Sequence, residues 1–102
     1  MNESKSPQIK QIVAKIDTDK IAVYLQEHSS SKTLKQIIRF RKRVLDSSND
    51  QEISRLAVRL AYNLEKIVNV SKYVKDEEEK KFLLELSEEL FINTKGKKEI
   101  KL

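Results

Sequence analysis

Cysteine and tryptophan are absent from this 102-residue chain, and glycine, proline and histidine occur once each. Without cysteine there are no disulfides, no thiolate zinc sites and no thiol nucleophile. With Gly and Pro nearly gone, sandwiches, barrels and doubly wound sheets lose the turn residues they need. No apolar run approaches the roughly 20 residues of a membrane span. The polar start Met1-Asn2-Glu3-Ser4-Lys5 does not read as a signal peptide. A chain of this length forms one domain and buries roughly two-thirds of its unfolded surface, enough for one modest core. The expectation is a soluble, cytoplasmic, helical binding protein with no membrane partner.

What is present is helical period. Ser6 before Pro7 reads as an N-cap with proline in the first turn, and Ile9, Ile12, Val13 and Ile16 carry a short first helix. Asp17, Thr18 and Asp19 cap a second, with Ile21, Tyr24 and Leu25 inward and an end near His28. Ser29-Ser30-Ser31 reads as a turn and the cap of a third helix, which holds Leu34, Ile37, Ile38, Val44 and Leu45. Asn49 or Asp50 caps the fourth. Its ladder of Ile53, Leu56, Ala57, Leu60, Ala61, Leu64, Ile67 and Val68 keeps a sustained helical period. Residues 69–75 read as a loop or a loosely continued helix. The fifth helix opens on Asp76-Glu77-Glu78-Glu79, acidic at the positive end of its dipole, and runs through Phe82, Leu83, Leu86 and Leu90. The expected architecture is all-α: one small bundle of about five helices on short connections over residues 1–92, followed by a flexible basic tail over residues 93–102.

Charge is distributed unevenly. The formal net charge is +5, but residues 32–66 alone carry +5, residues 76–90 carry −5 and the end of the chain is basic again. At 100° per residue, Lys35, Arg39, Lys42 and Arg43 fall within one arc of about 100° on the third helix, opposite Leu34, Ile37 and Val44. On the fourth helix, Arg55, Arg59, Tyr62 and Lys66 follow at i, i+4, i+7 and i+11, in a stripe about 60° wide turned away from Leu60 and Leu64. A solvated face is the plain reading of such an arc. However, solvated faces usually alternate sign to make i,i+4 pairs, whereas these stripes are cationic throughout. The tyrosine among the cations also suits an unstacked base beside a backbone. A polyanion across helices three and four would relieve the mutual repulsion and release counterions. No base-reading signature accompanies the stripes.

Two places point to a protein partner. Arg41 lies inside the apolar arc of the third helix; it either snorkels or pairs within the chain, or it faces a partner subunit. Tyr73, Leu84 and Phe91 line up nearly opposite the core stripe of the fifth helix, as an edge for another chain or for a neighbouring helix. Catalysis has little to stand on. His28 is the single histidine and sits at a helix end beside three serines. Glu77, Glu78 and Glu79 point about 100° apart and do not converge on one metal ion. Gly96 stands alone, so there is no phosphate loop. The expectation is no enzyme, no catalytic residue, no metal and no cofactor.

Two segments resemble a known family. Residues Ser30 to Leu45 are similar to the Ser/Thr-started helix of the small helical subunit of type III CRISPR effector complexes. Gln36, Ile37, Arg39 and Phe40 match its Gln-Ile-Arg-(Lys/Arg)-Phe pattern, with Ile38 where the first Arg stands in the family. Leu60-Ala61-Tyr62 followed by Lys66 resembles its Leu-Ala-Tyr motif and downstream basic residue, and the likeness extends over residues 17 to 92. The resemblance implies a non-catalytic antiviral-defence subunit, present in several copies along a ribonucleoprotein. Its partners would be guide and target RNA or another single strand, other subunits of the complex, and copies of itself. Arg39 and Lys66 carry over from the motifs, while Lys35, Lys42, Arg43, Arg55 and Arg59 rest on charge geometry. Two alternatives stand beside it: a helical adaptor of a replication or transcription assembly docking through the acidic fifth helix, and a small DNA-binding regulator. The second lacks a helix-turn-helix turn around Ser47–Asp50.

Overall fold

The computed structural model describes residues 5–24, 31–70 and 77–95. These form five α-helices and no strand: α1 (Ser6–Ala14), α2 (Thr18–Tyr24), α3 (Ser31–Asp46), α4 (Asp50–Val70) and α5 (Glu77–Lys95). The protein is a small all-α bundle, elongated at 47 × 29 × 19 Å. Helix α4 is its spine. At 21 residues it is the longest helix, and it packs against α5, α3 and α1.

The spine follows from the ladder. Ile53, Ala57, Leu60, Ala61, Leu64 and Ile67 are each 1% exposed or less, with Leu56 close behind. Ile9, Val13 and Ile16 from the α1 segment, Ile21 from α2, Ile37 and Val44 from α3, and Leu83, Leu86 and Leu90 from α5 close the same core. Fully burying such a side chain contributes about 1.5–3 kcal/mol, so one contiguous cluster can carry a domain of this size. Ser87 enters the core too; its hydroxyl donates to the Ala61 carbonyl at 3.0 Å, which satisfies the polar atom and ties α5 to α4.

The helix ends explain the connections. Asp17 Oδ1 accepts from the backbone N–H groups of Asp19 and Lys20, the N-cap expected for α2. Asn49 caps α4 through Oδ1 to the Glu52 N–H at 2.9 Å. At the α1 start the expectation fails. Lys5 occupies the cap position without a side-chain bond, and Ser6 lies inside the helix, donating its hydroxyl to Asp50 Oδ1 at 2.7 Å. That bond pins the α1 start to the α4 start. Helix α1 ends at Ala14, and Lys15 and Ile16 form the turn that follows.

Helices α1 and α3 run antiparallel and hold each other's ends. Lys10 Nζ donates to the Leu45 carbonyl in the last turn of α3 at 3.2 Å. Arg41, half-buried, donates through Nε to the Ile16 carbonyl at 3.0 Å and through a terminal nitrogen to Ala14 at 3.4 Å. Carbonyls at a helix C-terminus lack intrahelical partners and carry partial negative charge, so each cation fills a real vacancy. Of the two readings of Arg41, the structure shows the one within the chain: its guanidinium bonds to the backbone carbonyls of Ala14 and Ile16 at the α1–α2 connection.

Other expectations also shift. Ile38, read as core, is 47% exposed, while Thr33 on the same helix is buried. Phe82, also read as core, is 37% exposed, and Ser87 takes a place on the buried arc. Helix α4 continues to Val70, and α5 runs to Lys95, three residues past the boundary expected for the tail. Thr94 and Asn93 bond back to carbonyls one turn earlier within it. Leu25, His28, Tyr73, Asp76 and residues 96–102 lie outside the described residues.

Candidate nucleic-acid interface on α3 and α4

The three-residue connection Ser47–Asn49 folds α4 back along α3, so the two helices pack side by side. Arg55, Arg59, Tyr62 and Lys66 are all exposed along the outer ridge of α4. From Arg55 to Lys66 the ridge spans about 16 Å, a length over which one strand of a duplex presents about five phosphates. Lys35, Arg39 and Lys42 are exposed on α3. Among the described residues, no carboxylate lies within 4 Å of Lys35, Arg39, Lys42, Arg55, Arg59 or Lys66 as an ion pair.

Arg43 departs from the pattern. One of its terminal nitrogens meets Glu52 Oε2 at 2.8 Å, across the α3–α4 turn. Glu52 Oε1 accepts from the Ser47 hydroxyl at 2.9 Å, and Ser47 Oγ accepts from the Asn49 N–H. The Arg43 guanidinium, first, and the Ser47 hydroxyl hold the Glu52 carboxyl below its ordinary value of 4.5, with Arg55 adding a weaker coulombic pull. Arg43 is a turn brace paired with Glu52, and its side chain stays half exposed on the α3 arc.

Between the helices lies an open groove of about 460 Å³, lined by Gln36 and Phe40 from α3 and by Val58, Arg59, Tyr62 and Asn63 from α4. Arg39 borders it, its guanidinium carbon 5.9 Å from the Phe40 ring centroid, at the outer reach of a cation–π contact. Tyr62 is 56% exposed, and its ring packs edge-on against Phe91 of α5, with centroids 5.0 Å apart and planes at 73°. Phe91 is thus half-buried against α4 and the core, which is the neighbouring-helix alternative for that edge. Leu84 is 40% exposed, as that reading required, and Tyr73 falls outside the described residues.

Gln36 enters the sequence reading only through its match to the Gln-Ile-Arg pattern, and Asn63 and Val58 do not enter it at all. The amides were visible as the polar residues flanking each stripe on the helical wheel, on the boundary between core and solvent. Their convergence depends on the register of α3 against α4, which no single-helix period encodes. Among the described residues, no three His, Asp or Glu side chains gather as a metal-holding group, and no helix is long and apolar enough to cross a membrane. Compared with family models, curated proteins and solved structures, the chain matches none.

Proposed function

We propose that this chain is a non-catalytic, nucleic-acid-binding subunit of a ribonucleoprotein assembly, engaging the phosphate backbone with the outer face of α3 and α4. One observation carries the reading. Arg55, Arg59 and Lys66 repeat on one exposed ridge of α4, and Lys35, Arg39 and Lys42 are exposed on α3, without a carboxylate within 4 Å among the described residues to neutralise any of them. Like charges held this closely gain from a polyanion through counterion release, and phosphate contacts of this kind need no base-specific signature. The similarity of residues 30–45 and 60–66 to the small subunit of type III CRISPR effectors supplies the finer form of the proposal, with guide or target RNA as the ligand.

Fluorescence anisotropy with single-stranded RNA and DNA at low salt tests the coarse reading. Binding is expected, and the Arg55→Glu/Arg59→Glu double variant should lose most of it. Undetectable binding of every strand at low salt would end the proposal. Affinity purification from the native cell tests the finer form, with co-purifying guide RNA as the expected result. A protein-docking adaptor predicts the opposite pattern: indifference to the charge reversals and sensitivity to Leu84→Asp.

A further inference from the structure

We propose that the α3–α4 groove seats one unpaired nucleobase, so that the cationic face prefers a single strand to a duplex. The inference rests on the nucleic-acid reading above and deepens it. Phosphate contacts alone ask only for cations, yet the centre of this ridge is an aromatic residue. Tyr62 stands more than half exposed between Arg59 and Lys66, and its T-shaped packing on Phe91 holds the ring in place before any ligand arrives. A pre-positioned ring loses little entropy when a base stacks on it.

The rest of the groove matches the two chemical sides of a base. Phe40 and Val58 offer apolar surface, while the side-chain amides of Gln36 and Asn63 each bring donors and an acceptor to the same space. A paired base has its hydrogen-bonding edge occupied and its faces stacked, so it has nothing to give such a seat. An unpaired base brings both a π-face and a free edge. An aliphatic peptide side chain fits less well, because it would leave both amides without partners inside the contact. The rim sets the polarity of the ligand. Arg59 lines the groove, Arg39 borders it, and Arg55 and Lys66 stand about one turn to either side along α4, where phosphates flanking the seated nucleotide would run. No carboxylate lines the space. Amides reorient to present either donor or acceptor, so the seat accepts any base and selects for strandedness over sequence.

The test uses a short oligonucleotide carrying one 2-aminopurine, alone or annealed to its complement, titrated with the full chain. The wild type should bind the single strand more tightly than the duplex and change the 2-aminopurine fluorescence on binding. Tyr62→Ala should weaken single-strand binding roughly five- to a hundredfold, the alanine-scan range for one base–aromatic stack, and leave duplex binding within about twofold. Tyr62→Leu keeps an apolar side chain against Phe91 and should lose as much, with an unchanged urea midpoint excluding misfolding. Tyr62→Phe should retain both the affinity and the fluorescence change. Equal binding of strand and duplex by the wild type, or an equal loss of both in Tyr62→Leu, overturns the seat and leaves the backbone reading standing. Failure of the wild type to bind either form overturns both.

Discussion

Replacing Arg59 by Gln and Lys15 by Gln removes the same unit of charge from the chain of formal charge +5, yet from different places. Arg59 is on the outer ridge of α4 and lines the groove. Lys15 is exposed at the end of α1, which packs on the flank of α3 that Arg41 occupies, away from Gln36 and Phe40. Single-strand affinity falls with salt at a logarithmic slope of about −0.7 per phosphate neutralised. With Lys35, Arg39, Lys42, Arg55, Arg59 and Lys66 engaged together, the wild-type slope reaches about −4, or a loss of roughly 300-fold between 50 and 200 mM salt. Arg59→Gln should make the slope shallower by about 0.7, and Arg55→Gln/Arg59→Gln by about 1.4. Lys15→Gln should leave it unchanged. The Arg43→Gln/Glu52→Gln double variant, which removes a pair already neutral, should also match the wild type. The substitutions at Arg55, Arg59 and Lys15 are at exposed positions and shift stability by no more than about 0.5 kcal/mol, and the Arg43/Glu52 variant is compared only under conditions where it is folded. The assay is anisotropy at four or five salt concentrations. If Lys15→Gln flattens the slope as much as Arg59→Gln, net charge alone governs binding and the argument from stripe geometry is refuted. If neither changes it, the α4 ridge does not touch the strand.

Two further predictions concern the frame that holds this face. Arg41→Met keeps the aliphatic stem but removes the donors to the Ile16 and Ala14 carbonyls. One bond is long and the site only half-buried, so the loss should be about 1–2 kcal/mol, seen as a lower urea midpoint at constant m-value. An unchanged midpoint would mean that water replaces the guanidinium at no cost. Glu52 has its folded pKa below the ordinary value of 4.5 because Arg43 and Ser47 bond its charged form. Its stabilisation is therefore present above the unfolded pKa and is lost as pH falls through the folded one. Glu52→Gln should be less stable than wild type at pH 7, with the gap closing at acidic pH. A gap independent of pH would rule out linkage through this carboxyl.

Much of the fold was legible because one helix was enough to read it. Every residue of the α4 ladder from Ile53 to Ile67 is buried, since a long stripe with a clean helical period has one way to face a core. The Asp17 and Asn49 caps were legible because a cap is a local device, made within three residues. Errors occur where a neighbour decides. On α3, Ile38 belongs to the apolar set but falls on a flank left partly open, while Thr33 near the helix start is covered. On α5, apolar residues surround much of the helix, and packing selected Leu83, Leu86, Ser87 and Leu90 while leaving Phe82 partly exposed. The Arg43–Glu52 pair is a product of the three-residue turn, which lays the end of α3 over the first turn of α4. The groove depends in the same way on interhelical register, so its cationic rim was readable and its amide lining was not.

The same distinction weighs the adaptor reading against the nucleic-acid one. A helix that docks on a partner presents anchors at i, i+3, i+4 and i+7, which stack into one ridge. The exposed apolar residues of α5 are Phe82, Leu84 and Ile92. At about 100° per residue, Phe82 and Leu84 point roughly 160° apart, and Ile92 lies about 80° from Leu84 and 12 Å along the axis. They form no ridge, and single exposed apolar side chains are ordinary on a soluble surface. Phe91, the large residue that would have joined Leu84, is engaged by Tyr62 of the same chain. The cations of α4 meet the criterion that the apolar residues of α5 fail. Arg55, Arg59, Tyr62 and Lys66 are spaced by four, three and four residues and remain exposed along one line. Helix α5 contributes to that line by bracing Tyr62 through Phe91 from behind. If the proposed face on α4 binds a strand, Phe91→Ala should weaken that binding through Tyr62 without removing any charge.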